Sequence, residues 1–196
     1  MPDDSSGAAH TEVPIPRGPR LAVDVGTVRV GLAASDPDGL VATPVETLAR
    51  DARKRPGRLP KDIARIVREA RERCAECVYV GLPRHLSGAE SASSAAARAY
   101  ADTLAQAVAP VEVRMVDERM STVSAHQALL ASGRSGRRHR DVVDQAAAVV
   151  ILQYALDAER ATGRRPGERV EVRPELGTAG MGAVGDATDD GGATRT

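Results

Sequence analysis

The chain contains few of the side chains that recognise a partner by aromatic stacking. It has no Phe and no Trp, and only three Tyr among 196 residues. Its core must therefore be built from Ala, Val, Leu and Ile. This composition argues against proteins that bind single strands by stacking bases on aromatic platforms. It does not argue against enzymes that grip the nucleic-acid backbone.

Neither sign of charge is in excess. Lys and Arg together number 27, and so do Asp and Glu, which makes the formal net charge zero. No global positive field is therefore available to attract a polyanion. A nucleic-acid partner has to be held by local patches, or by metal ions that offset the phosphate charge.

Signals for export and membrane insertion are scarce as well. There is no run of about 18 apolar residues, so we expect no membrane span. The N-terminal residues, MPDDSSGAAHTEVPIP, lack the apolar segment of a secretory signal. Cys74 and Cys77 are the only cysteines, too few for a disulfide framework, and are expected to be free thiols. A cytoplasmic location follows by elimination.

Composition divides the chain into three parts. Residues 1–19 are rich in Pro, Gly, Ser and Asp, and residues 161–196 are dominated by Gly and acids. We expect both to be mostly disordered tails, with one short strand in the segment RVEVRPEL. The globular domain is predicted at residues 20–160, which is long enough for a sizeable core.

Short apolar runs alternate with amphipathic segments inside this domain. Three strands joined by turns are followed by strand–helix–strand units, a pattern that predicts an α/β fold with a mixed sheet and helices on its faces. The predicted strands are 21–24, 30–34, 40–48, 78–82 and 111–116. One helix is predicted to begin at Pro60, and three more are predicted at 89–108, 122–131 and 141–156.

Four acidic residues stand at positions suited to chemistry. Asp24 closes the first strand, Asp117 and Glu118 close the last one, and Asp144 lies on the apolar stripe of the final helix. Each also has a structural interpretation: turn bonding for Asp24, a helix dipole for the pair at 117–118, and a first-turn position for Asp144.

Together the four acids indicate a metal site. Carboxylates that converge repel one another unless cations offset their charge, and such oxygen ligands suit Mg²⁺ or Mn²⁺. Two such ions about 3.5–4 Å apart can support phosphodiester cleavage. Because neighbouring strand residues point to opposite faces, only one of Asp117 and Glu118 should face the metals.

Arginines are concentrated in two segments. The segment from Gly133 to Arg140 is predicted to be a flexible loop that clamps phosphate, because arginine favours bidentate phosphate contacts. The second segment, residues 50–58, is interpreted as a solvated loop. The arginines of the first segment are Arg134, Arg137, Arg138 and Arg140.

Four motifs occur in an order that resembles the YqgF family, also called RuvX-like. They are DVGTVRVGLAASD at 24–36, VGLPRHLSG at 80–88, DERMST at 117–122 and DQAAA at 144–148. The resemblance spans residues 20 to about 158. It implies an RNase H-like fold with a mixed five-stranded sheet and helices on both faces. It also implies a metal-dependent nuclease that matures the 5′ end of pre-16S rRNA, with Holliday junction resolution as the alternative.

The resemblance also implies a set of site residues. The acidic site would consist of Asp24, Asp117 or Glu118, and Asp144, and we assign Asp24, Asp117 and Asp144 as ligands of Mg²⁺ or Mn²⁺. Arg29 and Arg119 match basic positions of the family motifs, whereas Val28 stands where the family often has lysine. The implied partner is pre-16S rRNA or branched DNA, with no membrane, and the protein could be a monomer or a homodimer.

Two other classes of function stay open. In a non-catalytic RNA-binding protein, the acids would be structural and the arginines would bind RNA. The turn at 24–27 (DVGT) also resembles the phosphate-binding turn of actin-like ATPases. Those enzymes need two such domains, and the predicted domain supplies only one.

Overall fold

The computed structural model describes residues 14–53, 57–83, 91–117 and 137–172; for 137–145 it describes the backbone alone. Within these ranges, most helices and strands lie close to the segments predicted above. The strands are β1 Arg20–Val25, β2 Arg29–Ser35, β3 Ala42–Ala49, β4 Cys77–Leu82, β5 Glu112–Asp117 and β6 Glu168–Arg169, and the helices are α1 Lys61–Glu72, α2 Ala92–Val108 and α3 Arg137–Thr162. The helix predicted at 122–131 lies outside the described residues.

The strands form one mixed sheet in the order β3-β2-β1-β4-β5-β6. β1, β4 and β5 are parallel, whereas β2 runs antiparallel to both β1 and β3. This is the RNase H-like α/β architecture that was predicted. The sheet has six strands instead of the predicted five, because β6, which overlaps the start of the segment where a short strand was expected, pairs antiparallel with β5.

Side-chain alternation along the strands gives the sheet two buried faces. Val23, Val80 and Met115 belong to the cluster that packs against α1 and α2. Tyr79 and Val116 belong to a second cluster, which packs against α3. Helices therefore cover both faces, as predicted, and each strand residue can be assigned to a face.

Helix α1 confirms the helical pattern read from the sequence. Pro60 occupies the N-cap, where its missing N–H costs nothing. The four apolar residues at the predicted spacing are all buried against the sheet: Ile63, Ile66, Val67 and Ala70.

Helix α3 is longer than predicted at both ends. It begins at Arg137, so the loop predicted for Arg137, Arg138 and Arg140 is wrong: these residues form the first helical turn. Arginine is a strong helix former, and no Gly or Pro interrupts the chain between Gly136 and Gly163. The helix ends at Thr162 and is followed by Gly163, whose φ of +69° suits a glycine at the end of a helix. Arg134 lies outside the described residues.

The chain after α3 folds back on β5. Arg114 Nε donates to the Pro166 carbonyl at 2.7 Å, and Arg165 Nη1 pairs with Glu112 at 2.5 Å. The described fold therefore continues beyond the boundary predicted at residue 160. In the described part of the chain, no helix combines the length and apolar character needed to cross a membrane.

Both cysteines are free thiols, as predicted, but their environments differ. Cys74 is exposed beyond the end of α1, whereas Cys77 is buried in β4. Burial raises the pKa of the Cys77 thiol to about 12. Cys77 is therefore a packing residue of the sheet.

Candidate active site

Asp24 lies near the carboxyl end of β1, on the face covered by α3. Its neighbours Val23 and Val25 both pack on the opposite side, against α1 and α2. Alternation therefore directs the half-buried Asp24 toward α3. Its partner on β2 is Gly31, which has no side chain and leaves space beside the carboxylate.

The turn after Asp24 is held tightly. Gly26 N donates to the Arg29 carbonyl at 2.9 Å, which closes the connection between β1 and β2. A Cβ on Gly26 would lie only 2.8 Å from that carbonyl oxygen, so this position requires glycine. Arg29, a predicted nucleic-acid contact, begins β2 beside this turn and is half-buried.

Arg50 belongs to the segment interpreted above as a solvated loop, but the structure places it at this edge with specific contacts. Its Nη1 donates to the Gly26 carbonyl at 2.8 Å, and its backbone N donates to the Val28 carbonyl at 2.8 Å. Its guanidinium lies 4.9 Å from the ring centroid of Tyr100. Arg50 reaches this position because β3 pairs with β2, a register that composition alone does not reveal.

The ring of Tyr100 packs against the Arg50 guanidinium. Its hydroxyl donates to Asp62 Oδ2 at 3.2 Å, and both side chains are buried. Burial, with the nearby Asp62 carboxylate, raises the pKa of Tyr100, so that the hydroxyl stays protonated and keeps donating. A buried hydrogen bond thus orients the ring on which the Arg50 guanidinium rests.

Asp117 ends β5 at the same edge of the sheet as Asp24. In the parallel ladder, Leu82 pairs with Asp117 and Val80 pairs with Met115. Met115 packs on the α1 and α2 side, whereas Val116 packs on the α3 side. Alternation therefore gives Asp117 the face opposite to that of Asp24. Glu118 lies outside the described residues.

The course of α3 carries its N-terminal half toward Asp24. Arg20, at the start of β1, pairs with Glu159 near the end of the helix at 2.9 Å. From this ion pair, the helix extends about 16 Å to Ala148, and the strand extends about 13 Å to Asp24. The two segments therefore cover similar distances from the same starting point. Ala148 is buried against the sheet, and position 144 lies one turn further along.

The structure thus locates Asp24, Asp117 and Arg29 at one edge of the sheet and leads the backbone of α3 toward it. Among the described residues, no group of three His, Cys, Asp or Glu is placed to hold a metal ion. The remaining predicted site residues fall outside this description, either entirely (Glu118, Arg119, Arg134) or in their side chains (Arg137, Arg138, Arg140, Asp144).

Comparison with known proteins assigns the chain to a family. A family model described as "RuvX: Holliday junction resolvase" matches residues 18–158. The chain belongs to the RuvX family. A relative from Streptomyces coelicolor is 52% identical over 160 residues, covering 80% of this RuvX chain and 90% of its own. A relative from Kineococcus radiotolerans is 50% identical over 183 residues, covering 91% and 94%. Both are named "Putative pre-16S rRNA nuclease".

Solved structures of RuvC from Thermus thermophilus are more distant. The RuvC structure alone has a TM-score of 0.44 at 15% identity and covers 76% of this chain and 99% of its own. The complex of T. thermophilus RuvC with a Holliday junction substrate has a TM-score of 0.42 at 16% identity, with the same coverage.

Proposed function

We propose that this RuvX protein is a metal-dependent nuclease that hydrolyses phosphodiester bonds in the 5′ region of pre-16S rRNA, in the cytoplasm. The observation that carries the proposal is the placement of Asp24. Asp24 lies near the end of a central strand, opposite a glycine on β2 and on the face covered by the helix that contains Asp144. The names of the relatives support the substrate.

The donor set fits a hard divalent cation. Asp24, Glu118 and Asp144 offer carboxylate oxygens, which Mg²⁺ and Mn²⁺ prefer. When bound, such an ion activates a water molecule and stabilises the leaving oxygen. Asp24 contributes charge at a half-buried position, where its interaction with a cation is screened less than on an open surface.

Glu118 replaces Asp117 in the proposed set of ligands. Asp117 falls on the α1 and α2 side by strand alternation, opposite to Asp24. Strand alternation continued by one residue would assign Glu118 to the face of Asp24. We therefore assign Glu118 to the metals and Asp117 to the opposite side of the sheet.

This assignment makes opposite predictions for two neighbouring residues. Glu118→Gln is expected to lower the single-turnover cleavage rate at least about 10-fold and to weaken Mn²⁺ binding, because ligand changes exceed the 10- to 100-fold effect of outer-shell changes. Asp117→Asn should change both by less than about threefold. Single-turnover kinetics and Mn²⁺ calorimetry on the two variants measure this difference. The reverse ranking would return Asp117 to the metals.

The arginines are assigned to the substrate. Arg29 lies beside the turn after Asp24, and Arg137, Arg138 and Arg140 belong to the first turn of α3, next to position 144. Guanidinium groups at these positions suit the phosphates on either side of the scissile bond. Arg119 and Arg134 complete the proposed set.

The family description favours one alternative substrate, a four-way DNA junction. We expect labelled precursor RNA containing the 16S 5′ end to be cleaved at least 10-fold faster than the junction, each measured with Mn²⁺ and with Mg²⁺. Faster cleavage of the junction would assign the activity to recombination instead. A resolvase acting on a two-fold junction would also require a dimer, which sedimentation of the same sample would reveal. Binding of RNA without cleavage of either substrate would favour the non-catalytic alternative.

A further inference from the structure

A groove opens on the α1 and α2 side of the sheet, next to the edge that carries Asp24. Its volume is about 400 Å³. Its lining combines apolar side chains with arginines. The apolar and aromatic residues are Ile63, Ala96, Ala99 and Tyr100, and the arginines are Arg50, Arg53 and Arg58.

The charge of this groove is available to a ligand. Arg53 and Arg58 are exposed, and among the described residues neither guanidinium has a carboxylate partner. The acid of the lining, Asp51, accepts hydrogen bonds from the backbone N atoms of Arg53 and Lys61, at 3.3 and 3.2 Å. The described lining therefore carries three guanidinium groups and one carboxylate, a net positive charge.

Arg50 connects the groove to the turn that follows Asp24, at the edge between the two faces of the sheet. It lines the groove and also donates to the Gly26 carbonyl, two residues after Asp24. The Cα atoms of Asp24 and Gly26 can be at most about 7 Å apart. A nucleic-acid strand with one phosphate at Asp24 would therefore reach Arg50 within a few nucleotides. To do so, it would cross the edge of the sheet from the face of Asp24 to the face of the groove.

We propose that this groove binds the backbone phosphates of a single-stranded segment that flanks the scissile bond. The inference rests on the proposed nuclease function, since the strand in the groove is the one cut beside Asp24. Arginines that lack protein partners are suited to phosphate, and contacts of this kind position the strand without reading its sequence. The groove has one aromatic side chain, and Arg50 already lies over it, so phosphate contacts dominate.

The salt dependence of binding gives the expected size of the effect. Each phosphate contact to a single strand contributes about 0.7 to the slope of log affinity against log salt. Two lost contacts therefore lower the slope by about 1.4. If the variant and the parent protein bind equally at 1 M salt, the variant should bind roughly 25-fold more weakly than the parent at 0.1 M salt.

The test uses the double variant Arg53→Gln/Arg58→Gln in the full chain. Arg50 stays in place, because it also supports the turn after Asp24. The matched control is Arg68→Gln/Arg71→Gln, which removes the same charge from exposed positions of α1 outside the groove. Fluorescence anisotropy with labelled single-stranded RNA, from 0.05 to 0.5 M salt, measures affinity and slope. Measurements in the Asp24→Asn background score binding in the absence of cleavage, so failure of the nuclease proposal and failure of the groove proposal are distinguishable.

The expected result for the groove variant is roughly 25-fold weaker binding at 0.1 M salt and a smaller salt slope. The control should stay close to the parent protein. RNA shortened on the 5′ or the 3′ side of the cleavage position should abolish the difference on one side only, because the groove lies on one side of Asp24. Equal losses in the groove and control variants would reduce the effect to net charge and overturn the proposal. Unchanged affinity in the groove variant would overturn it as well.

Discussion

Replacement of Asp24 by Asn is expected to lower the cleavage rate by more than about 100-fold. Even outer-shell partners of a metal site typically contribute 10- to 100-fold, so loss of a charged ligand should cost more. Asn keeps the size of the side chain and one oxygen but removes the negative charge. Asp24 lies near the end of a central strand and has Gly31 beside it, so the substitution is accommodated without a steric clash.

Single-turnover cleavage of labelled precursor RNA measures this prediction, with chelator as the parallel test of the metal. Asp102→Asn is the matched control, because Asp102 is an exposed acid on α2, away from the proposed metal site. We expect the control to cleave like the parent protein and Asp24→Asn to lose the calorimetric signal of Mn²⁺. Equal cleavage by parent and Asp24→Asn proteins would remove Asp24 from the mechanism.

Replacement of Glu159 by Ala is expected to cause the largest loss of stability, about 3–5 kcal/mol. Glu159 and Arg20 form a salt bridge in which each side chain is only 6% exposed. Arg20 Nε donates to Glu159 Oε2 at 3.0 Å, and the Tyr79 hydroxyl donates to the other carboxylate oxygen. Removal of the carboxylate leaves a buried guanidinium and a buried hydroxyl without this acceptor, which is the costly way to break an ion pair.

Thermal unfolding followed by circular dichroism measures the effect. A domain of this size loses about 2–4 °C of Tm per kcal/mol, so Glu159→Ala should unfold roughly 6–20 °C lower. Asp157→Ala is the control, because the pair of Asp157 with Arg160 is about half exposed, at 55% and 48%. Exposed pairs contribute at most about 1 kcal/mol. Similar shifts in the two variants would show that the buried network does not anchor α3.

The same ion pair bears on activity. It fixes the C-terminal half of α3 at the start of β1. Because α3 is one continuous helix, this contact also determines where the backbone at position 144 lies relative to β1. Glu159 is therefore a positioning residue in the proposed mechanism. Its variant should be assayed for cleavage well below its lowered unfolding temperature, so that loss of fold and loss of geometry are separated.

Local patterns in the sequence determined most of the architecture. The spacing of Ile63, Ile66, Val67 and Ala70 is a helical period, and the apolar run before Pro83 is that of a buried strand. Such periodicities reflect the burial of one face, which a sequence expresses directly. The motifs around Asp24, Asp117 and Asp144 likewise led to the RuvX family, which the comparisons confirmed.

Register and pairing were decided only by the tertiary structure. The added strand β6 depends on pairing with β5, and the first turn of α3 is helical although its run of arginines was predicted to be a loop. The face given to Asp117 depends on which neighbours of β5 pack against α1, α2 or α3. The sequence by itself thus determined the elements, the family and the candidate acids. Only contacts between segments distant in the chain decided which side chains share a face. The same contacts bring Arg50, Arg53 and Arg58 into the lining of one groove. Local periodicity does not encode such contacts.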